Sequence, residues 1–191
     1  MDSIEHTMNR VTGILETSAG QDYIGEPVSQ LEHALQCAHF ARGAGADDET
    51  VIAALLHDVG HLLSEDLPSM DGLGVVDHER AGAEFLLALG FSGRVARLVG
   101  GHVEAKRYLT FKHPRYRARL SAASIGTLNW QGGPMNADEA EVFESSPEFD
   151  SILALRQWDE MAKEPDLECA GLDAYRELLR AHLHRFSDSP C

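Results

Sequence analysis

His57 and Asp58 stand side by side in Ala53–Leu63, a run that is otherwise almost wholly apolar, and His61 follows one helical turn after the first. Ile52, Leu55, Leu56 and Val59 keep the i, i+3, i+4, i+7 spacing of a core-facing stripe, which predicts one helix through the whole run. An unpaired carboxylate and imidazoles are costly to bury there. A metal ion would satisfy them directly. Neighbouring helix residues point about 100° apart. His57 and Asp58 can therefore approach one metal from two sides, while the second Asp58 oxygen bridges to another.

His33, His78, His102 and Asp159 are the further candidate ligands. Each alone is ordinary, because a single histidine on a helix is usually a satisfied or solvent-facing residue. Their order is what adds weight: His, His-Asp, His, His and a distant Asp, placed at helix starts or inside apolar stretches. Four imidazoles and two carboxylates make two sites rich in nitrogen and oxygen that share one carboxylate. That set suits iron, manganese or zinc better than calcium or magnesium, which favour all-oxygen shells.

The elements that must position these residues read as helices. Residues 3–18 form a predicted helix with Ile4, Met8, Val11 and Leu15 on one side, stopped at Gly20, and Gln21–Pro27 is a loop. Pro27 near the start and Ser29 just inside favour a second helix over 28–44, with Leu31, Leu35 and Ala38 toward the core. Asp47-Asp48 cap the helix that carries His57. Ser64–Val76, with Pro68, Gly72 and Gly74, is expected to be irregular, followed by helices His78–Leu89 and Ser92–Val99. Gly100-Gly101 is taken to end the latter, and 104–120 to be short helical pieces broken at Pro114. Ser121–Leu128 is helical, Gln131-Gly132-Gly133-Pro134 turns, and Asn136 caps a helix to Glu144. A helix after Pro147 carries Arg156, Trp158 and Asp159, and the last spans Leu172–Phe186. No strand alternation, repeat or low-complexity tract is evident. The expected fold is a single all-α domain.

Composition bounds the function. A net charge of −15 argues against nucleic acid, whose phosphates need Lys and Arg. The first residues carry Asp2 and Glu5 and lack the apolar core of a signal peptide, and no run of apolar residues would span a membrane. Cys37, Cys169 and Cys191 are odd in number and far apart, which predicts reduced thiols in a cytoplasmic protein and no thiolate zinc. Lys106, Arg107, Lys112, Arg115, Arg117 and Arg119 make a basic island on this acidic chain. It reads mostly as a solvated face, Lys106 excepted.

The order His33, His57-Asp58, His78, His102, Asp159 resembles the HD-domain superfamily, all-helical metalloproteins that are mostly phosphohydrolases. Asp22-Tyr23-Ile24-Gly25-Glu26, Ser29–Ala38, Lys106–Phe111 and Gln131–Met135 narrow this. Over about 20–185 the chain is similar to the HD-domain mixed-valent diiron oxygenases that cleave C–P bonds. The resemblance implies one iron held by His33, His57, Asp58 and Asp159, and a second by Asp58, His78 and His102, with Asp58 bridging. Tyr23 would guard the open position of the substrate-binding iron, and Glu26 would face a cationic nitrogen, the two moving together as substrate enters. His61, Lys106, Ser124, Gln131 and Arg156 would hold the phosphonate, with Tyr23, Glu26 and Lys106 nearest the chemistry.

The implied reaction is oxidative. An Fe(II)/Fe(III) pair and O2 would oxidise C1 of a 1-hydroxy-2-(amino or trimethylammonio)ethylphosphonate, giving phosphate and glycine or glycine betaine. An upstream phosphonate hydroxylase would supply that substrate. For a quaternary nitrogen, Tyr23, Tyr108, Trp130 or Trp158 could offer aromatic faces. The rival reading is a metal-dependent HD phosphohydrolase acting on a phosphoester, for which Tyr23, Glu26 and the Gln131 turn have no evident use. A non-enzymatic metal-binding or partner-binding helical domain is a third, and it leaves the donors clustered beyond the metal ligands without a purpose.

Overall fold

The computed structural model describes residues 3–23, 25–63 and 68–187. Ile24, Ser64–Leu67 of the expected irregular segment, and Cys191 lie outside them. The described residues form helices without a strand, with two isolated bridges, Asp22 to Ser29 and Ser69 to Val75.

Helix α1 (Ser3–Thr17) buries Met8, Val11 and Leu15 against the last helix, α10 (Asp173–Ser187). Helix α2 spans Gln30–Gly43. Ser29 is its N-cap rather than an interior residue, because its hydroxyl accepts the Glu32 amide while the Glu32 carboxylate accepts the Ser29 amide. Helix α3 (Asp48–Leu56), capped by Asp47, is buried from Thr50 to Leu56. The predicted single helix through Leu63 does not form. The α-helix stops at Leu56, and a 3-10 turn covers Val59–Leu62. The tighter turn lets Gly60 press on the next helix, α4 (His78–Ala88), where a Cβ on Gly60 would lie 1.9 Å from the His78 carbonyl oxygen.

Helix α5 runs unbroken over Gly93–Lys112, which overturns the expected stop at Gly100-Gly101 and joins 104–112 into the same helix, while the expected break at Pro114 is present. Gly101 serves packing. A Cβ at Gly101 would sit 2.6 Å from Ile152 Cδ1 on α9 (Phe149–Met161), so the bare backbone lets these two helices close up. Helix α5 is the spine of the fold and packs on α3, α4 and α9. Short helices α6 (Pro114–Arg117), α7 (Ala122–Trp130) and α8 (Ala137–Glu144) follow it. Ile52, Leu55, Leu56, Leu98, Val99 and Leu155 form the centre of the core. None of the described helices is long and apolar enough to cross a membrane.

Candidate metal centre

Five elements deliver six side chains to one place. His33 comes from α2, His57 and Asp58 from the turn after α3, His78 from the first residue of α4, His102 from the middle of α5 and Asp159 from near the end of α9. Because the helix ends before it, Asp58 has φ −99° and ψ 9°. That bridge conformation is common at active sites, and it aims both Asp58 oxygens inward. One oxygen lies 3.5 Å from His33 Nε2 and 3.4 Å from His57 Nε2, and the other 3.4 Å from His78 Nε2 and 3.5 Å from His102 Nε2. Asp159 Oδ1 joins the first group, 3.5 Å from His33 Nε2 and 3.8 Å from His57 Nε2.

The donor set fits two metal ions. Within each histidine pair the Nε2 atoms face one another at 3.1 Å, where either a shared hydrogen or a metal ion can sit between them. Ligand bonds of about 2.1 Å place neighbouring donors roughly 3.0–3.5 Å apart, close to these spacings. His33, His57 and His102 each turn Nδ1 to a backbone carbonyl, of Ala162, Ala54 and Val99. Donating Nδ1–H outward leaves Nε2 to ligate. His78 Nδ1 has no hydrogen-bond partner and lies 3.4 Å from Glu79 Oε2, which has none either. His33, His57 and Asp58, and Asp58, His78 and His102, are thus two groups that could each hold an ion.

Burial pulls His33 down to about 4 and His102 down to about 3, so both rings are neutral at physiological pH. At His57 burial is outweighed by the Asp58 carboxylate, which keeps its pKa above the usual range, and a bound metal would displace that proton. Burial opposes ionisation of Asp58 and Asp159. His57 beside the first and Arg156 beside the second nevertheless hold both below the usual carboxylate range.

Beyond the ligands a cavity of about 240 Å³ opens, small beside the roughly 300–1,000 Å³ of drug-sized sites. Tyr23, Glu26, His61, Lys106, Ser124, Gln131 and Arg156 all line it. Tyr23 stacks on His33, ring centroids 3.8 Å apart, and burial together with the Asp58 charge raises its phenol pKa. His61 stacks on His78 at 3.7 Å, and its Nδ1 accepts the Val75 amide. Neutral His61, its pKa lowered by burial, must then carry its proton on Nε2, as a donor. Lys106 donates to Thr127 Oγ1 at 2.8 Å, and burial, aided by Arg156, lowers it to about 7. Gln131 Oε1 is buried without a partner. Arg156 is largely engaged by the protein: it donates to Asp159 Oδ2 at 2.5 Å, to Glu160 at 2.7 Å and to the Tyr116 hydroxyl at 3.0 Å. Its clearest role is to hold Asp159 so that the other Asp159 oxygen faces the histidines.

The remaining basic island sits elsewhere. Arg107 pairs with Glu139, Lys112 pairs with Glu144, and Arg115, Arg117 and Arg119 are exposed. Of the four aromatic candidates only Tyr23 lines the cavity. Tyr108 packs on Phe143 and Phe149, Trp130 is half-exposed, and Trp158 lies against the core. Thr127 and Lys163 also line the cavity and escaped the sequence reading. Helical spacing was the available signal for Thr127, which follows Ser124 by three on α7, whereas Lys163 lies past the end of α9 and gave none.

A profile of the HD domain family matches residues 31–142. An uncharacterised protein of Acanthamoeba polyphaga mimivirus is 38% identical over 185 residues, covering 96% of this chain and 84% of its own. The [1-hydroxy-2-(trimethylamino)ethyl]phosphonate dioxygenase (glycine-betaine-forming) of Leisingera caerulea is 44% identical over 159 residues, 83% of this chain and 81% of its own. The hydroxymethylphosphonate dioxygenase of Gimesia maris is 39% identical over 170 residues, 87% of this chain and 84% of its own. With the paired histidines around His57-Asp58 and this extent of similarity, the chain belongs to the HD-domain family, among relatives that include phosphonate dioxygenases.

Proposed function

We propose that this protein is a diiron dioxygenase that uses O2 to cleave the C–P bond of a 1-hydroxy-2-(amino or trimethylammonio)ethylphosphonate. The observation that carries the reading is the joining of two histidine pairs through Asp58 at the floor of a cavity whose walls carry phosphonate donors. The named activities of two relatives support it. His33, His57, Asp58 and Asp159 would hold one iron, and Asp58, His78 and His102 the other. The iron pair would supply the redox chemistry with O2 and a Lewis-acid seat for the substrate oxygens.

The chain's own residues bind and orient. Lys106, His61 Nε2–H, Ser124 and Gln131 offer charge and hydrogen bonds to the phosphonate oxygens, and Arg156 has N–H groups left over. With a pKa near 7, Lys106 takes up a proton as the dianion enters. Tyr23, over His33, guards the open side of the centre, and Glu26 faces the substrate nitrogen. Met70, Leu73 and Val75 close an apolar wall that limits water around the reacting carbon. Hydroxyphosphonate and O2 balance to carboxylate, phosphate and one proton, so one oxygen atom enters each product and no further reductant is needed. The products would be glycine or glycine betaine. The C1 hydroxyl calls for an earlier hydroxylation of the parent phosphonate.

The test is phosphate release by iron-loaded protein from 1-hydroxy-2-aminoethylphosphonate and its N-trimethyl analogue, with and without O2. Oxygen-dependent release is expected. Silence on both compounds, with oxygen-independent hydrolysis of a phosphoester, would overturn the reading in favour of a phosphohydrolase.

A further inference from the structure

Glu26, the carboxylate expected to meet a substrate cation, already has one. Lys163 Nζ lies 2.8 Å from Glu26 Oε1, and both side chains are largely buried, at 17% and 13% exposed. Lys163 follows the end of α9 and Glu26 sits in the loop before α2, so the pair ties two walls of the cavity. The Lys163 ammonium is also 5.9 Å from the centre of the Tyr23 ring. Tyr23 is the single described tyrosine, tryptophan or phenylalanine lining the cavity, and His33 stacks on it. The nitrogen end is therefore furnished with one carboxylate, one aromatic ring and a resident cation competing for both. Asp22, the other acid at this end, is exposed and screened by water.

Resting on the phosphonate reading of this cavity, we infer that Lys163 is a specificity-determining residue, an internal cation that a substrate's ammonium must displace from Glu26. Two cations cannot share one largely buried carboxylate without repulsion, so a cationic tail gains only the difference between its own pairing and that of Lys163. A phosphonate without nitrogen leaves the Lys163–Glu26 pair in place and incurs no such loss. A trimethylammonium gains least. It cannot donate to Glu26, and its usual compensation, a set of free aromatic faces, is missing among the described residues.

The test is anaerobic calorimetry on the iron-loaded protein with three ligands: hydroxymethylphosphonate, 1-hydroxy-2-aminoethylphosphonate and its N-trimethyl analogue. The readout is the Kd of each cationic ligand divided by that of hydroxymethylphosphonate. Lys163→Met is expected to lower this ratio by about tenfold or more. Lys163→Arg, which keeps the charge, should hold it within about threefold of wild type. Glu26→Gln should raise it, because the Lys163 charge then faces the ligand unpaired. A ratio that does not move, or that rises in Lys163→Met, overturns the assignment and leaves the phosphonate reading intact; a rise would mean that Lys163 steadies Glu26 for the substrate. If wild type binds none of the three, both fall together.

Discussion

Replacing Gly60 with alanine probes how the two candidate metal groups are held together. A Cβ at Gly60 would lie 1.9 Å from the His78 carbonyl oxygen, 2.7 Å from its carbon and 3.0 Å from the Gly82 amide nitrogen. All three are backbone atoms, so no rotamer change relieves the clash. An ordinary carbon–oxygen approach is about 3.3 Å, so the 3-10 turn and α4 must part by about 1.4 Å. His78 rides on the first turn of α4, so its Nε2 would move from 3.4 Å toward nearly 5 Å from the Asp58 oxygen. Metal sites tolerate only about 0.2 Å of such error. The second group should fail while His33, His57, Asp58 and Asp159 still bind. Overpacking against backbone costs about 2–3 kcal/mol, or roughly 4–12 °C in Tm for a chain of this size. Thermal unfolding of the metal-free protein and elemental analysis after iron loading would show both effects. Gly13→Ala is the control, because its Cβ enters open space inside α1 and should stabilise by about 0.5–1 kcal/mol. A Gly60→Ala protein with wild-type Tm and full metal content would refute the packing argument.

Arg156→Met should weaken metal binding at the His33 group by about 10–100-fold, since it frees the Asp159 oxygen now held at 2.5 Å; titration with a metal-sensitive chromophore would measure it. Gly101→Ala should destabilise by about 1–3 kcal/mol in urea unfolding, and Ile152→Ala should recover part of that loss by vacating the space its Cδ1 fills. His182 accepts the Ser92 amide on Nε2 and stacks near Phe91 and Phe186; burial lowers its pKa, against the pull of Glu49 and Asp48 and together with Arg185. A depressed folded pKa gives stability that is present above the unfolded value of about 6.5 and lost as pH falls through the folded one. Wild type should therefore lose more stability than His182→Gln between about pH 7 and 5 in urea titrations; parallel profiles would rule this out.

Much of the fold was legible because its signals are local. Asp47, Ser92, Ser121 and Asn136 each bond an amide one turn ahead, and polar residues beside apolar stripes mark helix starts whatever the tertiary context. The set His33, His57, Asp58, His78, His102 and Asp159 was legible for a different reason. Imidazoles and carboxylates in apolar surroundings demand partners, and their types suit a metal ion. What local reading missed was long-range. Gly100-Gly101 looks like a helix breaker in one dimension, yet Gly101 lies inside a continuous helix and serves the contact with Ile152; Gly60 looks like one residue of a helix, yet it presses a 3-10 turn onto His78. Only the tertiary structure decided that α3 stops just before Asp58, that Arg156 is occupied by Asp159, and that Lys163 meets Glu26 across 137 residues of chain. Side-chain type and periodicity are properties of neighbours in sequence, whereas pairing and close approach are set by which helices share the core.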